Sequence, residues 1–211
     1  MTEPGTISVV GQGRAEGPPD VCRVSLVATA LRPSVAAALA DSEQATRRVR
    51  EALVAGGGEA RDAATSTVTV RAEEDYSGQR GPRLLGYRAE HALDVVLRDL
   101  DAAGRLLGDA VAAGGEAARL QGVSFAVEDD AALRAQARAA AWADALRAGE
   151  QLAQLAGRDL GAVRSIDEGG GPGSGPPPRP MMARAMGAAE VALEPGGVGV
   201  AVALAVVWEL R

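Results

Sequence analysis

Residues 84–127 restrict most strongly what this chain can fold into. Tyr87, Ala89, His91, Leu93, Val95 and Leu97 alternate with Arg88, Glu90, Asp94 and Arg98, the period-two pattern of a half-buried strand. Asp99 or Asp101 can cap a helix that carries Leu106, Leu107 and Val111, and Gly114-Gly115 stops it. Val123, Phe125 and Val127 then alternate again. The spacing predicts strand, helix and strand in succession.

The preceding segment follows the same plan. Cys22, Val24, Leu26 and Ala28 alternate with Arg23, Ser25 and Thr29. Pro33 suits the first turn of a helix, with Ser34 near its cap, and Val35, Leu39, Val49 and Leu53 mark an apolar stripe that ends at Gly56-Gly57-Gly58. Val68, Val70 and Ala72 alternate with Thr67, Thr69 and Arg71, and residues 76–82 form a polar hairpin loop. The order is β-α-β-β-α-β, so the expected class is α+β with a ferredoxin-like, split-βαβ core. The two helix ends, Val54-Ala55-Gly56-Gly57-Gly58-Glu59-Ala60-Arg61 and Val111-Ala112-Ala113-Gly114-Gly115-Glu116-Ala117-Ala118-Arg119, are either a true repeat or a shared Ala/Gly bias.

Further elements flank this core. Ile7 and Val9 predict a short extra N-terminal strand, closed by a turn at Gly11-Gln12-Gly13. A long Ala-rich third helix is expected over 129–156, with Leu133, Ala137, Ala141, Ala145, Ala148, Leu152 and Leu155 on one stripe. A strand near 163–166 and a flexible Gly/Pro/Met-rich loop over 168–189 follow, within a single domain spanning 1–211. In the final strand the even positions Val198 to Leu210 are large and the odd positions Gly199, Ala201, Ala203 and Ala205 are small. Two apolar faces place it inside a sheet, with a helix expected against the small face.

The formal net charge of −6 and the scattered arginines argue against a nucleic-acid surface. All 22 basic residues are Arg, and Lys and Asn are absent, which reads as the coding bias of a GC-rich genome. Only 2% of residues are aromatic, so Ala, Val and Leu fill the core, each methylene contributing about 0.8 kcal/mol. One cysteine excludes an intramolecular disulfide. The first residues show neither a basic nor an apolar signal region, so the chain as given is expected in the cytoplasm, or in the periplasm or cell envelope if a leader was removed. Residues 198–210 are too few to cross a bilayer as a helix, and no transmembrane segment is expected.

An ordered set of short motifs runs along nearly the whole chain. It comprises Ile7-Ser8-Val9-Val10-Gly11-Gln12-Gly13, Pro19-Asp20, Thr65-Ser66, Gly86-Tyr87-Arg88-Ala89, Val96-Leu97-Arg98-Asp99-Leu100-Asp101 and Gly122-Val123-Ser124-Phe125. The Ala-rich helix, a Pro/Met loop and a terminal Val/Ala strand complete it. In this set the chain resembles the SIMPL-domain family. The resemblance implies an α+β fold and self-assembly. Bacterial relatives include periplasmic or outer-membrane-associated immunogens that form ring or channel-like assemblies and proteins linked to oxidative-stress tolerance. An animal relative associates with a signalling kinase. The family supplies no catalytic residues to carry over.

No catalytic, cofactor or metal constellation stands out. Gly11-x-Gly13 follows a strand, but Gly17 is misplaced for a dinucleotide loop and Pro18-Pro19 stand where a helix should open, so the pair reads as a structural turn. His91, among apolar alternates and without a second histidine, reads as a packed strand residue. Cys22 reads as a buried free thiol, and Asp129-Asp130 as helix caps. Arg134 and Arg138 read as a solvated face paired with Glu128 and Asp130. Met181, Met182 and Met186 fall in the loop, where thioethers could meet a soft metal or a partner, but a plain linker fits them better. The expectation is a non-enzymatic, self-assembling protein with a structural or stress-associated role. The alternatives are a binding module using the Pro/Met loop on a protein or apolar partner, and an enzyme using His91 or Cys22.

Overall fold

The computed structural model describes residues 5–77, 81–169 and 196–211 and is α+β. In chain order its elements are β1 (Thr6–Gly17), β2 (Val21–Arg32), α1 (Val35–Ala55), β3 (Ala63–Asp75), β4 (Arg83–Leu97), α2 (Leu100–Gly114), β5 (Ala118–Ala126), α3 (Ala131–Leu155), β6 (Leu160–Glu168) and β7 (Val198–Leu210). The described residues divide into two units. One holds β2, α1, β3, β4, α2 and β5; the other holds β1, α3, β6 and β7.

In the first unit the strands lie in the order β3-β4-β2-β5, every neighbouring pair antiparallel. Each helix-linked strand pair thus has one strand of the other pair between its members. The capping reading holds at both helices. Ser34 Oγ accepts from the Ala37 amide at 3.3 Å, and Asp99 Oδ1 from the Ala102 amide at 2.9 Å. Both helices cover one sheet face. Cys22, Val24 and Leu26 of β2 and Leu93, Val95 and Leu97 of β4 meet Val49 and Leu53 of α1 and Leu106 and Leu107 of α2. Each such large side chain contributes roughly 1.5–3 kcal/mol when fully buried.

The α1 stripe differs from expectation. Val35 is exposed, whereas Ser42 and Thr46 are buried beside Ala38 and Ala45. The two hydroxyls are tolerated because they donate back to the Leu39 and Ser42 carbonyls, each at 2.9 Å. The opposite sheet face carries charge across the strands: Arg71 meets Glu90 at 2.8 Å, and Arg88 holds Glu73 through Nε and Nη2. That contact keeps the Glu73 carboxyl below the usual range.

In the second unit β7 lies between β1 and β6, antiparallel to both. Three expectations are corrected here. First, β1 does not close at Gly11-Gln12-Gly13 but runs through to Gly17, paired with β7 along its length. Both glycines face α3 at a distance no side chain allows. A Cβ on Gly11 would lie 2.5 Å from the Ala145 nitrogen, and one on Gly13 would overlap the Ala137 carbonyl and the Ala141 nitrogen. Neither has a positive φ, so close approach of backbones, and not a turn, requires them.

Second, α3 covers the large face of β7 and not the small one. Val202, Leu204, Val206 and Trp208 are buried with Ala137, Ala141 and Ala145 of α3. The helix supplies the small residues, so the strand must supply the bulk. Third, the buried row of α3 steps by four throughout, Ala137, Ala141, Ala145, Gly149 and Ala153, which leaves Leu152 and Leu155 exposed.

Candidate functional site

Glu43, Thr46, Arg47 and Arg50 recur at three- and four-residue steps along α1 and so share one helical face. On β4 and β3, His91 and Val68 are direct cross-strand partners on the face that α1 covers. With Leu39 these residues line an open cavity of about 450 Å³. Small-molecule sites span roughly 300–1,000 Å³. Val68 is exposed at this site.

A hydrogen-bonded chain crosses this region. Arg50 Nη2 donates to Thr65 Oγ1 at 2.6 Å, and that hydroxyl lies 3.1 Å from His91 Nε2. Since the hydroxyl accepts from Arg50, its own proton is available to His91 Nε2, which fits a neutral ring protonated at Nδ1. Burial holds the His91 pKa below its ordinary value; Arg50 adds to the effect and Glu43 opposes it. Arg47 meets Glu43 at 4.0 Å. Arg50 has no carboxylate partner among the described residues, and its Nε is buried without an acceptor. His91 is therefore a half-buried cavity residue and not simply a packed strand histidine. Arg50 and Thr65 were not singled out for chemistry by sequence. The α1 spacing groups Arg50 with Glu43 and Arg47, but only the sheet brings Thr65 and His91 to them.

The other sequence candidates remain apart from this cavity. Cys22 is 0% exposed in the core of its unit, and burial raises its pKa to about 11. A thiol reagent at neutral pH is expected to leave native Cys22 unlabelled and to label it fully in denaturant. Fast labelling of the native protein, followed by mass spectrometry, would contradict that burial. Asp129 accepts from the Ala131 amide at 3.1 Å as a cap would, whereas Asp130 makes no capping bond and pairs with Arg134 at 2.8 Å. The partner of Arg138 is Glu168 of β6, both carboxylate oxygens at 2.8 Å from Nε. Met181, Met182 and Met186 lie outside the described residues, as does the 168–189 loop beyond Gly169. Among the described residues no cluster of His, Cys, Asp and Glu could hold a metal, and no helix is long and apolar enough to cross a membrane.

The second unit carries a different feature. Because Gly11 and Gly13 admit α3 closely at β1, the helix sits over β1 and β7 and barely reaches β6. Asp144 of α3 accepts the Gln12 amide at 3.0 Å, so that outward-facing β1 donor is satisfied, and this bond, with help from Arg147, keeps the Asp144 carboxyl below its usual range. The opposite edge strand, β6, has no such cover among the described residues. Val163 is 40% and Ile166 56% exposed, while two of the three β6 charges are engaged within the unit, Arg164 with Glu209 at 2.7 Å and Glu168 with Arg138; the third, Asp167, is exposed.

The chain is 28% identical over 186 residues to the 26 kDa periplasmic immunogenic protein of Brucella melitensis, covering 85% of this chain and 71% of that one. It is 36% identical over 102 residues to the uncharacterized protein YggE of Escherichia coli, covering 48% of this chain and 41% of that one. It is 27% identical over 156 residues to YggE of Edwardsiella ictaluri, covering 74% and 64%. With the family profile matched across residues 7–208, this chain belongs to the SIMPL family, described as protein of unknown function (DUF541).

Proposed function

We propose that this protein is a non-enzymatic, self-assembling component of the bacterial cell envelope. The β6 edge, uncovered among the described residues, carries the reading. An edge strand presents unpaired amides and carbonyls, and natural proteins usually blunt such edges with free charge, a bulge or a covering element. Here β1 is protected by α3 and Asp144, whereas β6, blunted only by exposed Asp167 and by slips of register around Val163, exposes Val163 and Ile166, and its Arg164 and Glu168 are tied up within the unit. Pairing of β6 with a neighbouring copy would satisfy its edge and cover both apolar side chains. The Brucella relative is named for the periplasm, which supports the envelope as the setting.

Sedimentation velocity at micromolar concentration is expected to give a particle several times the 21.4 kDa of one chain. Ile166→Lys is expected to shift it toward a single chain, since a charge on an edge strand opposes pairing. A mass of one chain that does not change on concentration would end the self-assembly reading.

A further inference from the structure

We propose that the cavity between α1 and the β3–β4 pair binds a small aliphatic monocarboxylate, with Arg50 as its anchor. The charge on the lining motivates the class. From α1 the cavity receives Glu43, Arg47 and Arg50; from β3 and β4 it receives Val68 and the imidazole of His91. With His91 neutral, two guanidinium groups face one carboxylate, and one positive charge is left over. A monoanion neutralises it, whereas a dianion would overshoot and meet Glu43.

Arg50 is the natural anchor. It has no carboxylate partner among the described residues, and its buried Nε–H has no acceptor. A carboxylate beside the guanidinium, reached by a turn of the side chain's last torsion, would supply that acceptor in the fork geometry that arginine and carboxylate share. Thr65, itself bonded to His91, holds Nη2 of the same guanidinium. Leu39 and Val68 give the wall an apolar part, which favours a short hydrocarbon tail over a bare inorganic ion.

The chain has a single histidine, so selective ring labelling gives one set of NMR signals from inside the site. Sodium butyrate is the probe, and sodium chloride at equal ionic strength is the control. Butyrate is expected to move the His91 signals saturably with an affinity of about 1 mM, and to raise the pH at which His91 titrates, because a bound anion favours the imidazolium. Arg50→Gln is expected to weaken binding roughly tenfold or more, the size of a lost charge-assisted hydrogen bond. Val68→Asp, a change at an exposed strand position, is expected to abolish the response by placing a second carboxylate in the lining; it decides the matter alone if Arg50→Gln does not fold. A His91 response that is absent up to about 10 mM butyrate, that chloride reproduces, or that survives the charge at residue 68 would overturn the proposal.

Discussion

Gly13→Ala is expected to destabilise the unit of β1, α3, β6 and β7 by about 3 kcal/mol, the upper end of what overpacking usually costs. The added methyl would collide with the Ala137 carbonyl and the Ala141 nitrogen. Both are backbone atoms of a continuous helix, so no side-chain rotation relieves the overlap; α3 as a whole must lift from β1. The same lift would draw Asp144 away from the Gln12 amide and open the layer of Ala137, Ala141 and Ala145. Gly199→Ala is the control. Its methyl would lie 3.1 Å from Arg14 Nε, an atom of a side chain that is exposed and can swing aside. Urea unfolding followed by circular dichroism should separate the two variants clearly. Equal midpoints for Gly13→Ala and Gly199→Ala would show that α3 does not need the glycine.

Trp208→Ala should cost about 3–5 kcal/mol, the range for removing a large buried aromatic side chain. Trp208 is 2% exposed, and its ring centroid lies 6.0 Å from that of Trp142 at an interplanar angle of 47°. Space for it comes from the helix: a Cβ on Gly149 would sit 3.4 Å from the indole Cζ3. The chain has few aromatic residues, and apart from Trp142 the residues that α3 buries here are alanine and glycine, so little is available to refill the gap. Since the chain has two tryptophans, the fluorescence of the variant reports Trp142 alone, and its emission is expected to shift to the red as water reaches the ring. A loss below about 1 kcal/mol would mean that the Trp208 pocket collapses without penalty.

Local chemistry alone determined much of the first unit. The alternation of Leu93, Val95 and Leu97 against Asp94, the caps at Ser34 and Asp99, and the order β-α-β-β-α-β can all be read from neighbouring residues, because period, capping and turn chemistry act over a few positions. The family is legible in the same way, as an ordered run of short motifs. The second unit was harder because its meaning is relational. Gly11 and Gly13 read as a strand terminator until α3, more than a hundred residues later, is seen lying on them. Which face of β7 the helix covers follows from the helix being small where the strand is large, a complementarity that the strand pattern does not contain. The cavity is of the same kind. Arg50, Thr65 and His91 are far apart in sequence and individually ordinary, and only the packing of α1 on β4 and β3 creates the uncompensated guanidinium beside a desolvated imidazole. Sequence period decides which side of an element is apolar; only the tertiary structure decides what meets that side, because close approach and charge balance depend on both surfaces at once.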